Sequence, residues 1–244
     1  MITAPHFFFF SLVSPLLADV SILRFFFQGG VFMVPLVLCS VVSLAVILLR
    51  GLALRRDTVM PPQILKGIEE LQPVDDTEAV VKLARMVRGD RSPLGRIVQT
   101  GLQHLQWPKM ENIQAVETRA RHEIVRMDAG LVVLEVVVGI APLLGLLGAV
   151  SGLVNVFANF GATTSINDPR GIAKGISEAL STTIVGLAIA IPSLIAYSYF
   201  AKKIETMSAE MESLISELLA KCYYQKKRRN PQRDDTAAEL EEIL

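Results

Sequence analysis

The sequence has few of the residues that build disulfide frameworks and metal centres. It contains 2 cysteines and 3 histidines in 244 residues. Cys39 and Cys222 belong to no CxxC or Cys/His cluster, so we predict neither a disulfide framework nor a metal site. The 24 Lys and Arg residues are balanced by 24 Asp and Glu residues. Overall charge therefore gives no support for nucleic-acid binding.

Catalytic arrangements are also missing. His6, His104 and His122 are isolated from one another and from any carboxylate motif, and no glycine-rich phosphate loop follows a strand. We expect these histidines to be ordinary surface residues. The sequence therefore predicts no enzymatic reaction and no cofactor.

What the sequence has in excess is apolar residues, which make up 51% of it, against 20% charged residues and a mean hydropathy of +0.44. Crossing a bilayer core of about 30 Å takes roughly 20 apolar residues in a helix. Three segments meet this requirement, at residues 29–50, 129–160 and 175–201. We predict an all-α polytopic membrane protein with three transmembrane helices.

The distribution of basic residues predicts the orientation of these spans. Lys and Arg concentrate near the membrane junctions of residues 51–128 and after residue 201, whereas the opposite side has only Arg24, Arg170 and Lys174. Basic residues favour the cytoplasmic side. We therefore expect residues 1–28 and the loop 161–174 on the outer side of the membrane. We expect the helical region 51–128, a helix at 202–225 and a disordered charged tail at 226–244 on the cytoplasmic side.

The N-terminal segment admits two interpretations. Its apolar run, Phe7 to Leu17, is too short to cross a membrane. It is either the core of a cleaved signal peptide or an interfacial helix on the outer leaflet. The missing basic n-region favours the interfacial helix.

The cytoplasmic segments show helical patterns. Ser92-Pro93 is a helix start, with Ser as the N-cap and Pro at the first helical position. A polar helix from Lys109 to Met127 is expected to continue into the second span without a break. Beyond the third span, apolar residues recur at steps of three and four, as in a coiled coil; they are Ile204, Met207, Met211, Leu214, Leu218 and Cys222. We expect the third span to continue as one long helix that packs on other helices.

Polar residues cluster at the start of the third span. Glu178 is followed by Ser181, Thr182 and Thr183 within about one turn. An ionisable residue in a membrane helix is costly and is by default a functional candidate. The threonine hydroxyls can instead bond their own helix backbone. The grouping favours a hydrated path.

The second span holds one ionisable residue, Glu135, near its inner boundary. It could lie at the inner mouth of a path, or be an interfacial residue paired with Arg126 or with a basic residue of a neighbouring subunit; the sequence favours neither. Small residues in the spans fit close helix packing, and prolines fit bends. These residues are Gly145, Gly148, Gly152, Pro142 and Pro192.

Two motifs carry a resemblance to a known family. The segments Ile140–Leu153 (IAPLLGLLGAVSGL) and Gly175–Pro192 (GISEALSTTIVGLAIAIP) resemble the paired motif of the MotA/TolQ/ExbB proton-channel family, and are most similar to its ExbB branch. Gly29-Gly30 with Pro35, and Ser92-Pro93-Leu94, are also similar to that branch. The resemblance extends over about residues 25–222.

The resemblance implies a homo-pentameric helical barrel in the inner membrane of a Gram-negative bacterium. It also implies an ExbD-like partner, whose single spans occupy the pore and supply an aspartate as proton carrier, and a TonB-like protein. Glu178 matches the third-span glutamate of the family, and Thr183 its pore-facing threonine. Ala149 stands where ExbB and TolQ usually have threonine. That departure removes a ring of hydroxyls, which disfavours a dehydrated Na⁺ and favours protons.

We therefore expect a motor subunit that uses the proton-motive force to drive TonB-dependent transport across the outer membrane. Within the family, the alternatives are TolQ-like envelope maintenance and a gliding or flagellar stator. From another class, a passive membrane scaffold would use Glu178 and Thr183 only for helix packing.

Overall fold

The structure is a computed structural model that describes residues 30–71, 77–162 and 169–229. All regular elements in these ranges are α-helices, which confirms the all-α prediction. In chain order they are α1 (Met33–Ala53), α2 (Arg56–Val59), α3 (Pro62–Glu69), α4 (Thr77–Arg88), α5 (Pro93–Gln103), α6 (Lys109–Asp128), α7 (Leu131–Ala162) and α8 (Pro169–Arg229). The N-terminal segment 1–28 and residues 230–244 of the predicted tail lie outside the described residues.

Three of these helices are long and apolar enough to cross a membrane. Their candidate spans are Met33–Ala53, Leu131–Ala158 and Gly171–Tyr224. This confirms the prediction of three membrane-spanning helices. Helix α8 already begins at Pro169, where proline's missing N–H costs nothing.

The chain divides into two compact units. The first, called here the membrane unit, takes its residues from Met1–Ile47 and Val132–Tyr197. The second, called the polar unit, takes its residues from Leu48–Leu131 and Ser198–Leu244.

Within the membrane unit, α7 and α8 pack through glycines. A Cβ added at Gly145 would come within 2.9 Å of the Thr182 carbonyl oxygen, and one added at Gly186 within 2.5 Å of the Ala141 carbonyl oxygen. Gly148 and Gly152 are buried in the same contact, against Thr182 and Ala179. Because burial of apolar groups gives no drive inside lipid, association there depends on such close backbone approach.

Replacement of Gly186 by alanine is expected to push α7 and α8 apart, since the new methyl group meets a backbone carbonyl that cannot rotate away. Overpacking of this kind costs about 1–3 kcal/mol. Thermal melting of Gly186→Ala in detergent, compared with wild type, measures the loss. Gly139→Ala is the matched control, because a Cβ at Gly139 meets nothing within 4 Å. Equal melting of the two variants would contradict the packing account.

Helix α1 is joined to the same bundle by apolar and polar contacts. Met33 and Leu36 form a buried cluster with Val137, Ala141 and Ala190. Further along α1, the buried Ser43 and Ser193 hydroxyls lie 2.6 Å apart. Ser193 donates its proton to the Ile189 carbonyl at 2.7 Å, so Ser43 must be the donor to Ser193. Both ends of this hydroxyl pair are therefore satisfied inside the bundle.

In the polar unit, the predicted helix start at Ser92 is confirmed. The Ser92 hydroxyl accepts the Gly95 N–H at 3.0 Å, and Pro93 occupies the first helical position. The prediction of an unbroken helix from Lys109 into the second span is wrong. Helix α6 ends at Asp128, and α7 begins at Leu131 after a turn at 129–130.

The break coincides with Gly130, a poor helix former, and with a contact from Arg50. Its guanidinium donates to the Met127 carbonyl at 3.2 Å, at the C-terminal end of α6. A Cβ at Gly130 would overlap this guanidinium, so glycine leaves the room that Arg50 needs. A cation at a helix C-terminus is favourable.

The predicted long helix after the third span is observed, since α8 continues through the polar unit to Arg229. Five of the six seam residues are buried, namely Ile204, Met207, Met211, Leu218 and Cys222, whereas Leu214 is half-buried. Ile215 and Leu219 are buried beside them, so the buried face of α8 is wider than a coiled-coil seam.

Candidate functional site

Glu178 lies on α8 near the start of the third span. Its side chain is half-buried. The carboxylate lies against Gly30, so closely that a Cβ added at Gly30 would overlap its Oε1 atom. Both residues belong to the membrane unit. The structure therefore brings the carboxylate of the third span to the beginning of the first.

Thr183 is half-buried on α8, at the contact with α7. Its hydroxyl lies 3.3 Å from the Ala179 carbonyl oxygen and 3.4 Å from that of Gly145. Both distances are long for a hydroxyl donor, whose bonds are usually about 2.7–2.8 Å. The hydroxyl is therefore only weakly held and can rotate to another acceptor.

Thr182 and Ser181 are placed differently. Thr182 is fully buried, packs on Gly148, and donates to the Ala179 carbonyl at 3.0 Å. Ser181 is buried and donates to the Ser177 carbonyl at 2.7 Å. These are the local backbone bonds that serine and threonine make in helices. The structure thus separates Thr183 from its two polar neighbours.

Ala149, at the position that departs from the family pattern, is half-buried on α7. Leu146, one turn earlier, is 57% exposed. This part of α7 therefore presents an apolar surface. Of the two prolines, Pro142 is half-buried in α7 and Pro192 is exposed in α8, and both helices continue through them.

Glu135 does not share a site with Glu178. It is exposed near the start of α7, whereas Glu178 lies one residue from Ala179, which packs on Gly152. At 1.5 Å per residue, Glu135 lies about 25 Å further along the helix axis. Arg126, the candidate partner for Glu135 within this chain, has its Nη1 atom 3.9 Å from a Glu123 carboxylate oxygen on α6.

No group of three or more metal-ligating side chains occurs in the ranges that the structure describes. Within the membrane unit, the acidic side chains of those ranges are Glu135 and Glu178, one towards each end of the bundle.

Two further contacts are not predicted by the sequence. The approach of Gly30 to Glu178 joins positions 148 residues apart, and Ser43 and Ser193 are 150 apart. No periodicity connects such positions. Gly30 did have a signal, a Gly-Gly pair before a span, but nothing in the sequence says which side chain the glycine accommodates.

Comparisons with known proteins show which sequences this chain resembles. The model of the MotA/TolQ/ExbB proton channel family matches residues 90–213. The ExbB-like 1 protein of Synechocystis is 34% identical over 175 residues, 70% of this chain and 67% of that protein. Biopolymer transport protein exbB1 of Vibrio cholerae is 30% identical over 168 residues, 68% of this chain and 73% of its own. ExbB of Helicobacter pylori is 41% identical over 82 residues, 34% of this chain and 56% of its own.

Proposed function

Because this chain belongs to the MotA/TolQ/ExbB proton channel family, a transport family, we propose that it is an ExbB-like subunit of a proton-driven motor. In this proposal five copies surround the single spans of an ExbD-like partner in the inner membrane. A TonB-like protein transmits the resulting movement to transport across the outer membrane. The names of the relatives, ExbB and biopolymer transport protein, support this role.

The observation that carries the proposal is the arrangement of Glu178 and Thr183. Glu178 is the one acidic side chain at its end of the described bundle, and Thr183 keeps a weakly held hydroxyl one turn further into the membrane. Such a hydroxyl can bond a carboxylate that a partner brings past it. In this proposal Glu178 lies at the outer entrance of the proton path, and Thr183 lies on the path and bonds the partner's carboxylate.

The proposal assigns Thr182 and the glycines a different task from Thr183. Thr182, Gly145, Gly148 and Gly152 hold α7 against α8. Ala149 and Leu146 supply an apolar wall that a charged carboxylate passes only when it is protonated.

The energy available fits mechanical work. One proton crossing 100 mV releases about 2.3 kcal/mol. In this proposal the partner's carboxylate must be protonated to pass the apolar wall of Ala149 and Leu146, and Thr183 binds it once it is ionised. The partner's helix can therefore move in one direction. The chain's orientation, with the N-terminus periplasmic and the C-terminus cytoplasmic, follows in this proposal from its basic membrane junctions.

Uptake through the outer membrane tests the proposal. A strain whose own copy is replaced by Glu178→Ala is expected to lose most of its energised uptake of a TonB-dependent substrate. Glu205→Ala is the matched control, because Glu205 is an exposed glutamate on the polar part of α8. Wild-type uptake in the Glu178→Ala strain would sink the proposal. Normal uptake with a leaky envelope would favour TolQ-like maintenance instead.

A further inference from the structure

The turn before α1 contains a glycine that is constrained in two ways. Gly30 has a φ of +65°, the left-handed region that residues with a Cβ rarely adopt. Its carbonyl accepts the Met33 N–H at 3.2 Å, which closes the turn at the start of α1. The backbone geometry alone therefore favours glycine here.

The second constraint is Glu178. A Cβ at Gly30 would overlap Glu178 Oε1 and lie 3.5 Å from the carboxyl carbon Cδ. The carboxylate thus occupies the space that any side chain at position 30 would take. A left-handed turn requires glycine for its φ, but it does not require a carboxylate in that space.

The turn is firmly placed relative to Glu178. Met33, at the beginning of α1, is 2% exposed and packs in the cluster with Val137 and Ala190. The Ser43–Ser193 hydroxyl pair joins α1 to α8 a second time. With α1 held at two levels, an added methyl group at Gly30 cannot be relieved by moving the helix. The Glu178 side chain has to move instead.

We propose that Gly30 is a positioning residue for Glu178: the turn before α1 seats the carboxylate and fixes how it is presented at the entrance of the ion path. The first span then contributes to that entrance. The position of the Glu178 carboxylate against Gly30 is called here the seat. The role in ion entry rests on the proposed function, whereas the seat itself does not.

Carbodiimide labelling of the full chain in lipid vesicles tests the seat directly. Dicyclohexylcarbodiimide modifies carboxyl groups in membranes, and mass spectrometry of peptides measures its rate at Glu178 and at Glu135 separately. Gly30→Ala is expected to change the Glu178 rate by at least about threefold, as when a side chain is forced off its preferred rotamer. The rate at Glu135, at the other end of the bundle, should stay unchanged.

Two further variants separate the carboxylate contact from other effects. Gly30→Asn carries a Cβ but tolerates a positive φ better than alanine, so it should also change the Glu178 rate. Gly51→Ala lies on α1, the helix that follows Gly30, where a Cβ would meet only Phe200 at an ordinary 3.9 Å; it should change neither rate. A change with alanine but not with asparagine would mean that backbone strain is the cause, and would overturn the proposal.

Shortening the side chain at position 178 is expected to abolish the effect of Gly30→Ala on labelling. In a Glu178→Asp background the carboxylate is drawn back from position 30 by one methylene. Adding Gly30→Ala there is expected to leave the labelling rate of the shortened carboxylate the same as in Glu178→Asp alone. An undiminished effect of Gly30→Ala in that background would contradict the seat, because the space beside position 30 should then be free.

Proton flux into the same vesicles, prepared with the ExbD-like partner, distinguishes failure of the proposed function from failure of the proposed role of Gly30. Altered Glu178 labelling in the Gly30 variants together with no flux in wild type would sink the proposed function and leave the seat intact. Flux in wild type with unchanged Glu178 labelling in Gly30→Ala and Gly30→Asn would overturn the seat alone.

Discussion

Thr183→Val is expected to lower proton flux through vesicles containing this chain and its partner by about ten- to a hundredfold. Valine keeps the volume and branching of threonine and removes only the hydroxyl. A hydrogen bond to a charged group is worth about 1.5–3 kcal/mol, and each 1.4 kcal/mol is about tenfold in rate. The loss follows if the Thr183 hydroxyl bonds the partner's ionised carboxylate, which its long bonds to Ala179 and Gly145 leave it free to do.

Thr206→Val is the matched control for this variant. Thr206 lies on the same helix, and its hydroxyl donates to the Lys202 carbonyl at 2.9 Å, four residues back, as that of Thr183 does to Ala179. It is exposed in the polar unit. The same substitution should therefore leave the flux unchanged. Equal flux in the two variants would remove Thr183 from the ion path.

Glu123→Gln is expected to cause the largest loss of stability, about 3 kcal/mol, since removing one partner of a buried ion pair leaves the other charges uncompensated. Glu123 on α6 is fully buried. Its carboxylate accepts two bonds from Arg96, at 2.8 and 2.5 Å, and lies 3.0 Å from Arg119. The side chain of Arg96 is only 23% exposed, so water cannot fully replace the lost carboxylate.

Trp107 offers a direct probe for this measurement. It is the one tryptophan in the sequence and lies in the polar unit, between α5 and α6, the helices that Arg96 and Glu123 connect. Urea unfolding of the full chain in detergent, followed by Trp107 fluorescence, gives the free energy of unfolding. Glu205→Gln is the control, because the Lys202–Glu205 pair is exposed and such pairs contribute little. Unfolding of Glu123→Gln at the wild-type urea concentration would contradict the account of this cluster.

The parts of the fold that follow from local pattern were predictable from the sequence. The three spans follow from uncharged runs, the start of α5 from Ser92-Pro93, and the continuation of α8 from its apolar repeat. Each of these signals lies within a few turns of one helix. The break at 129–130 has one local signal, Gly130, because glycine is common just after a helix; the contact of Arg50 with Met127 joins residues that are far apart in the sequence and leaves no such signal.

The candidate site was predictable only in part for the same reason. Glu178, Thr182 and Thr183 were selected together because all are polar and close in sequence. Their different environments are set by α7, where Gly148 receives Thr182 and the Gly145 carbonyl lies 3.4 Å from the Thr183 hydroxyl. The register between two helices decides which of two neighbouring threonines is buried, and a single sequence does not contain that register.

We propose that this chain forms a proton path only together with a partner that supplies a membrane carboxylate. Proton flux into vesicles under an imposed membrane potential tests it most directly, with this chain alone, with the ExbD-like partner, and with that partner carrying asparagine for its membrane aspartate. The account predicts flux above background only with the unaltered partner. Background flux in all three preparations would contradict it and leave a passive scaffold.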